Sequence, residues 1–86
     1  MKDVLMMVLK GCPHCRRAME MIEELKEERE EYRRVRIRVV DEREDPALAD
    51  SLDYYYVPCF FVDGQKRMEG VPDRESVEAV LREAAG

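Results

Sequence analysis

The chain has 86 residues, enough for one hydrophobic core and too few for two, so residues 1–86 are expected to form a single domain. Hydrophobic residues supply 45% and charged residues 41%, and no apolar run approaches the ~18 residues that a membrane span requires. Acidic and basic residues are mixed along the chain around a net charge of −5, which leaves no footprint for nucleic acid or for an anionic membrane.

Val4 to Leu9 is a continuous apolar run ended by Lys10-Gly11, the pattern of a strand buried on both faces at the centre of a sheet. No small-residue cleavage site follows it, so it is predicted to be a strand rather than a leader peptide, and a cytoplasmic setting is expected. From Pro13 onward, Ala18, Met21, Ile22 and Leu25 fall on one helical stripe that Tyr32 extends, predicting a long amphipathic helix. Lys26/Glu30 and Glu30/Arg34 lie at helix-neighbour spacing on its solvated face. Val35, Ile37 and Val39 then alternate with Arg34, Arg36 and Arg38, as in a half-exposed edge strand whose arginines discourage edge-to-edge association.

Asp45-Pro46 supplies a helix cap and a first-turn proline ahead of Leu48 and Leu52, predicting a short second helix. Cys59 to Val62, Asp63-Gly64 and Gln65 to Glu69 give strand, tight turn, strand. Asp73 can cap a last helix with the stripe Val77, Val80, Leu81 and Ala84. The predicted order is β-α-β-α-β-β-α: an α/β chain with a four-stranded mixed sheet flanked by helices on both faces.

Cys12-Pro13-His14-Cys15 sits where the first strand hands over to the first helix. Two cysteines on the first turn of a helix can close one short disulfide. The orphan N–H groups and the positive end of the helix dipole favour a thiolate on the first of them, and such thiols ionise at roughly pH 3.5 to 7.5 instead of ~8.5. Thiolate is the form that attacks disulfides. Pro13 suits the first helical position, where its missing N–H costs nothing. His14, the only histidine, stands between the two sulfurs, where an imidazolium would favour the Cys12 thiolate and make the disulfide more oxidising. In a cytoplasmic protein such a pair is catalytic or metal-binding rather than a structural staple. Cys59 is expected to be a small buried core residue.

The element order, with Cys-x-x-Cys opening the first helix and Val57-Pro58 opening the third strand, resembles the thioredoxin superfamily over essentially the whole chain. Within it, Gly11-Cys12-Pro13-His14-Cys15-Arg16-Arg17-Ala18 is most similar to the glutaredoxins, whose motif is usually Cys-Pro-Tyr-Cys after a glycine. The resemblance implies a thioredoxin-like fold and a small thiol-disulfide oxidoreductase with Cys12 as nucleophile and Cys15 as resolving thiol. It implies a cis Pro58 facing the dithiol, with the Val57 backbone pairing with the substrate. Gly70 and Asp73 match part of the glutathione-gripping stretch, and Lys10 stands near the place of the basic residue before the motif. Glu69 occupies the position of the first glycine of a Gly-Gly pair, Met6 that of the buried aspartate of thioredoxins, and no tryptophan precedes Cys12. The implied partners are disulfide-containing proteins or small thiols and a reductase or glutathione as electron donor, acting on a monomer without a tightly bound cofactor.

The alternative from another class is a metal or iron-sulfur module using Cys12 and Cys15. Two thiolates are half of a tetrahedral site, and only His14 and Cys59 remain to complete it. One of the three tyrosines Tyr54, Tyr55 and Tyr56 is expected in the core, the others at the border of the site.

Overall fold

A computed structural model describes residues Met1–Gly86. Its elements are β1 (Val4–Val8), α1 (Pro13–Glu28), a 3-10 segment (Glu30–Arg34), β2 (Ile37–Asp41), α2 (Pro46–Ser51), β3 (Cys59–Val62), β4 (Gln65–Glu69) and α3 (Arg74–Ala85). The predicted order of strands and helices holds. The strands lie in the order β2-β1-β3-β4, with β1 parallel to β2 and antiparallel to β3, and β3 antiparallel to β4. This is the thioredoxin-like arrangement that the sequence implied. No helix is long and apolar enough to cross a membrane.

Strand alternation divides the apolar residues between two layers. Val4 and Met6 of β1 join Phe60 and Val62 of β3 under α1 and α3, against Ala18, Ile22, Leu25, Val77, Val80 and Leu81. On the other side of the sheet, Met7, Cys59 and Phe61 form a smaller cluster against Leu48 and Leu52 at α2. The continuous hydrophobicity of β1 thus has its expected cause, since both of its faces are covered. The β3–β4 hairpin turns through Asp63 and Gly64, both at positive φ (48° and 82°), where an Asp-Gly pair meets the least resistance.

Two expectations are corrected. The long helix ends at Glu28: Arg29 is extended (φ −129°, ψ 116°) and a 3-10 segment replaces the continuation. This turn delivers Tyr32 and Val35, both buried, into the main core. The Lys26/Glu30 and Glu30/Arg34 pairs accordingly do not form; the Arg33 Nε donates to the carbonyl of Lys26 (2.9 Å), and Arg29 pairs with Glu31 and Glu78. In β2 the alternation is partial. Ile37 and Val39 pair with Val4 and Met6 and so share their face, but at the sheet edge Val39 remains 43% exposed. On the opposite face Val40 packs onto the smaller cluster while Arg38 stays exposed.

Candidate active site

β1 ends at Val8, and the chain then has to reverse within a few residues to begin α1. Gly11 makes the reversal at φ 85°, with nothing within 4 Å of where a Cβ would stand, so glycine is required there by backbone conformation and not by space. The loop is held from the side by Asp41 at the end of β2, whose Oδ2 accepts from the Lys10 N–H (2.8 Å) and whose Oδ1 accepts from the Arg43 N–H (2.8 Å).

Cys12 is the N-cap of α1 and Pro13 opens the helix. The cap is made by sulfur: the Cys15 N–H donates to the Cys12 Sγ at 3.2 Å. Cys15 itself is buried, and all three cysteines carry free thiols. Burial opposes ionisation at Cys12, but hydrogen bonds from the Cys15 thiol and from the Cys15 and His14 amides outweigh it and hold this thiol below its ordinary value. Cys15 moves the other way. Burial first, then its hydrogen bond to Cys12, push it up to about 12, with the charges of Cys12 and Glu42 adding to the rise. Two thiols one helical turn apart are therefore unequal, with the half-buried Cys12 readier to ionise than the buried Cys15. Met6 is wholly buried in the apolar core.

Opposite the dithiol, the Val57–Pro58 peptide bond is cis, as the resemblance implied. The Val57 carbonyl lies 4.0 Å from the Cys12 Sγ. His14, Tyr56, Val57, Gly70 and Val71 border one shallow cavity beside Cys12. The structure thus gathers Cys12, Pro13, His14, Cys15, Val57, Pro58 and Gly70. Lys10 and Asp73 are not drawn in by any hydrogen bond: Lys10 is exposed and engages Asp41 through its backbone, and Asp73 caps α3, its Oδ1 accepting from the Ser76 N–H (2.8 Å) and its Oδ2 from the Ser76 hydroxyl (3.1 Å).

The tyrosine run divides as expected. Tyr54 is half-buried, edge-on to Phe61 with ring centroids 6.2 Å apart, and its hydroxyl donates to Glu42 (2.8 Å). Tyr55 and Tyr56 are 83% and 69% exposed. Cys59 is fully buried between Met7 and Phe61, and burial, with the nearby Glu69 charge, pushes its thiol up to about 12. It is a packing residue, held neutral. Sequence reasoning missed Asp41 and Glu42, at the end of β2 and just after it, and singled out Glu69 only as a departure from the resemblance, not as the acceptor for the Tyr55 and Tyr56 amides. An acidic pair closing the strand beside the motif was a signal for the first two; for Glu69 the partners lie 13 and 14 residues away and left none.

A strand, a Cys-x-x-Cys at a helix start and a cis proline facing it define the thioredoxin class of proteins. Residues 2–82 match the family model described as a thioredoxin domain, and the chain belongs to that family. No curated protein sequence matches it. Among solved structures, a malarial protein aligns with TM-score 0.73 and 15% identity over 98% of this chain and 97% of its own. The oxidised thioredoxin of Plasmodium falciparum aligns with TM-score 0.73 and 16% identity, over 99% of this chain and 82% of its own. The thioredoxin of Malassezia sympodialis gives 0.73 and 20%, over 99% and 78%. At such identities the likeness concerns the fold. The Cys12/Cys15 pair in this fold supports a general thiol-disulfide oxidoreductase role. No three His, Cys, Asp or Glu side chains converge to hold a metal ion, which disfavours the metal-binding alternative.

Proposed function

We propose that the protein is a small glutaredoxin-like dithiol reductase acting through Cys12-Pro13-His14-Cys15. The observation that carries this reading is the inequality of the two thiols: Cys12 capping α1 and held below its ordinary value, Cys15 buried and pushed up to about 12. The Cys12 thiolate attacks one sulfur of a substrate disulfide, forming a mixed disulfide and expelling the other substrate sulfur as thiolate, which takes up a proton. Cys15 then gives up its proton and attacks the Cys12 sulfur, releasing the second substrate thiolate and leaving a Cys12–Cys15 disulfide. Two electrons have passed to the substrate, and a glutathione pair or a dithiol reductase returns them. In this reading Val57 and Pro58 align the substrate chain and Gly70 borders it, while Lys10 and Asp73, hydrogen-bonded elsewhere, are residues that the resemblance alone assigns to substrate binding. His14 stabilises the Cys12 thiolate in its cationic form, so His14→Ala makes the disulfide less oxidising. A cytoplasmic setting suits this direction of flux, because that compartment keeps thiols reduced.

Equilibration in glutathione redox buffers, alkylation of free thiols and mass measurement test the proposal. The expected result is a reversible two-electron transition in the range of roughly −270 to −200 mV. Cys12→Ser abolishes reduction of a protein disulfide such as that of insulin, and Cys15→Ser accumulates the mixed disulfide. Full activity in Cys12→Ser, or failure of the wild-type chain to form the Cys12–Cys15 disulfide, sinks the assignment.

A further inference from the structure

Between α2 and β3 the chain passes through residues 53–58, the segment that brings Val57 opposite Cys12. No backbone–backbone hydrogen bond is made by residues 53–57, which belong to no helix or strand. Packing secures only part of this stretch. Tyr54 is anchored by Phe61 and Glu42, while Tyr55 and Tyr56 direct most of their surface to solvent. What holds their backbone is one carboxylate. Glu69, the last residue of β4, accepts both the Tyr55 and the Tyr56 N–H on its Oε2, the latter at 2.9 Å. Its Oε1 accepts from the Lys66 ammonium at 2.9 Å. The next residue, Gly70, donates its N–H to the Pro58 carbonyl at 2.9 Å, so the end of β4 grips the loop on both sides of Val57.

We propose that Glu69 is a positioning residue for the disulfide-reducing site: its carboxylate fixes the Tyr55-Tyr56 backbone and thereby sets where Val57 meets the substrate chain. The inference rests on the reductase reading of the site. Two adjacent N–H groups converging on one oxygen form a small anion cradle, and here the protein fills it with its own carboxylate. The two amides and Lys66 hold the Glu69 carboxyl down to about 2, so the clamp keeps its charge throughout the pH range in which Cys12 titrates. The residue that departs from the Gly-Gly pattern of glutaredoxins thus acquires a role: its negative charge is turned onto the loop and matched there by donors. It acts through the backbone and takes no part in the thiol chemistry.

Glu69→Ala and Glu69→Gln separate this role from general damage. In Glu69→Ala the Tyr55 and Tyr56 amides exchange with solvent at least about tenfold faster by NMR, while amides of β3 are unchanged. In Glu69→Gln, whose amide oxygen still accepts, exchange is intermediate. With insulin as substrate, KM rises about five- to tenfold in Glu69→Ala, kcat is retained, and Glu69→Gln recovers part of the loss, as expected when a positioning contact made before the chemical step is removed. The pH midpoint of Cys12 alkylation by iodoacetamide stays at the wild-type value in both. Unchanged exchange at Tyr55 and Tyr56, an unchanged KM, or a loss carried by a shifted Cys12 midpoint overturns the proposal. Exchange needs no substrate, and Glu69→Gln keeps the shape of the side chain should Glu69→Ala fail to fold. Inactivity of the wild-type chain toward insulin would therefore overturn the reductase reading, while the exchange rates still decide whether Glu69 clamps the loop.

Discussion

The amide of Cys15 donates to the sulfur of Cys12 across 3.2 Å, so the Cys15 backbone stabilises negative charge on the Cys12 sulfur. The Cys15 thiol also lowers the Cys12 value. Removing that thiol while keeping the amide divides the two contributions. Cys15→Ala is expected to raise the Cys12 titration midpoint above its wild-type value, since only the Cys15 and His14 amides remain to offset burial. Iodoacetamide alkylation rate against pH reads the midpoint directly. A midpoint in Cys15→Ala equal to the wild-type value would mean that the amides do all the work.

Much of this site was legible because its parts are local. Cys12, Pro13 and Cys15 lie within one helical turn, and a strand before them with an amphipathic stripe after them fixes their orientation. Asp45-Pro46, Asp63-Gly64 and Asp73 likewise act on neighbours two or three residues away, and each was found where the structure places it. What escaped is long-range or competitive. The helix breaks after Glu28, and the 3-10 segment places Tyr32 and Val35 in a core assembled from distant strands, while the helical charge pairing visible in Lys26, Glu30 and Arg34 does not form. Glu69 looked like a misplaced charge until the fold brought it to Tyr55 and Tyr56.

Gly11 carries a prediction free of steric complication. An added Cβ there meets no atom within 4 Å, so Gly11→Ala tests conformation alone at φ 85°. An L-residue in the left-handed region costs about 1–2 kcal/mol, and urea unfolding should show a loss of this size. The loop leads directly into Cys12, so a variant that avoids the strain by moving the loop would instead disturb the Cys12–Cys15 spacing and slow disulfide formation. A variant as stable as wild type, with unchanged disulfide kinetics, contradicts the requirement.

Asp73 has two candidate roles that one pair of variants distinguishes. As the N-cap of α3 it satisfies the Ser76 amide, and Asp73→Ala should cost about 1 kcal/mol in urea unfolding. Asparagine caps nearly as well, so Asp73→Asn should keep that stability while deleting the charge. If the carboxylate also grips a cationic group of glutathione, Asp73→Asn raises KM for glutathione disulfide and leaves KM for insulin in place. Wild-type KM values for both substrates in Asp73→Asn would reduce Asp73 to a cap.

Cys59 predicts a loss of stability in base. Its folded-state value is raised to about 12 from an ordinary 9.0, because burial between Met7 and Phe61 disfavours the thiolate. Below pH 9 the thiol is protonated in both the folded and the unfolded chain, and its contribution to stability is fully present. Above pH 9 the unfolded chain releases the proton while the folded one retains it, so stability falls as pH rises toward 12, by up to ~1.4 kcal/mol per pH unit from this thiol. Cys15, raised to about 12 for the same leading reason, adds a fall of the same sign. Cys59→Ala lowers stability at pH 7 through the lost packing, but it should flatten the decline between pH 9 and 11, because alanine has no proton to release. Urea midpoints taken across that range separate the intercept from the slope. Parallel curves for wild type and Cys59→Ala would show that the folded chain ionises Cys59 as readily as the unfolded one, and would point to a sulfur open to water and able to join the redox chemistry of Cys12.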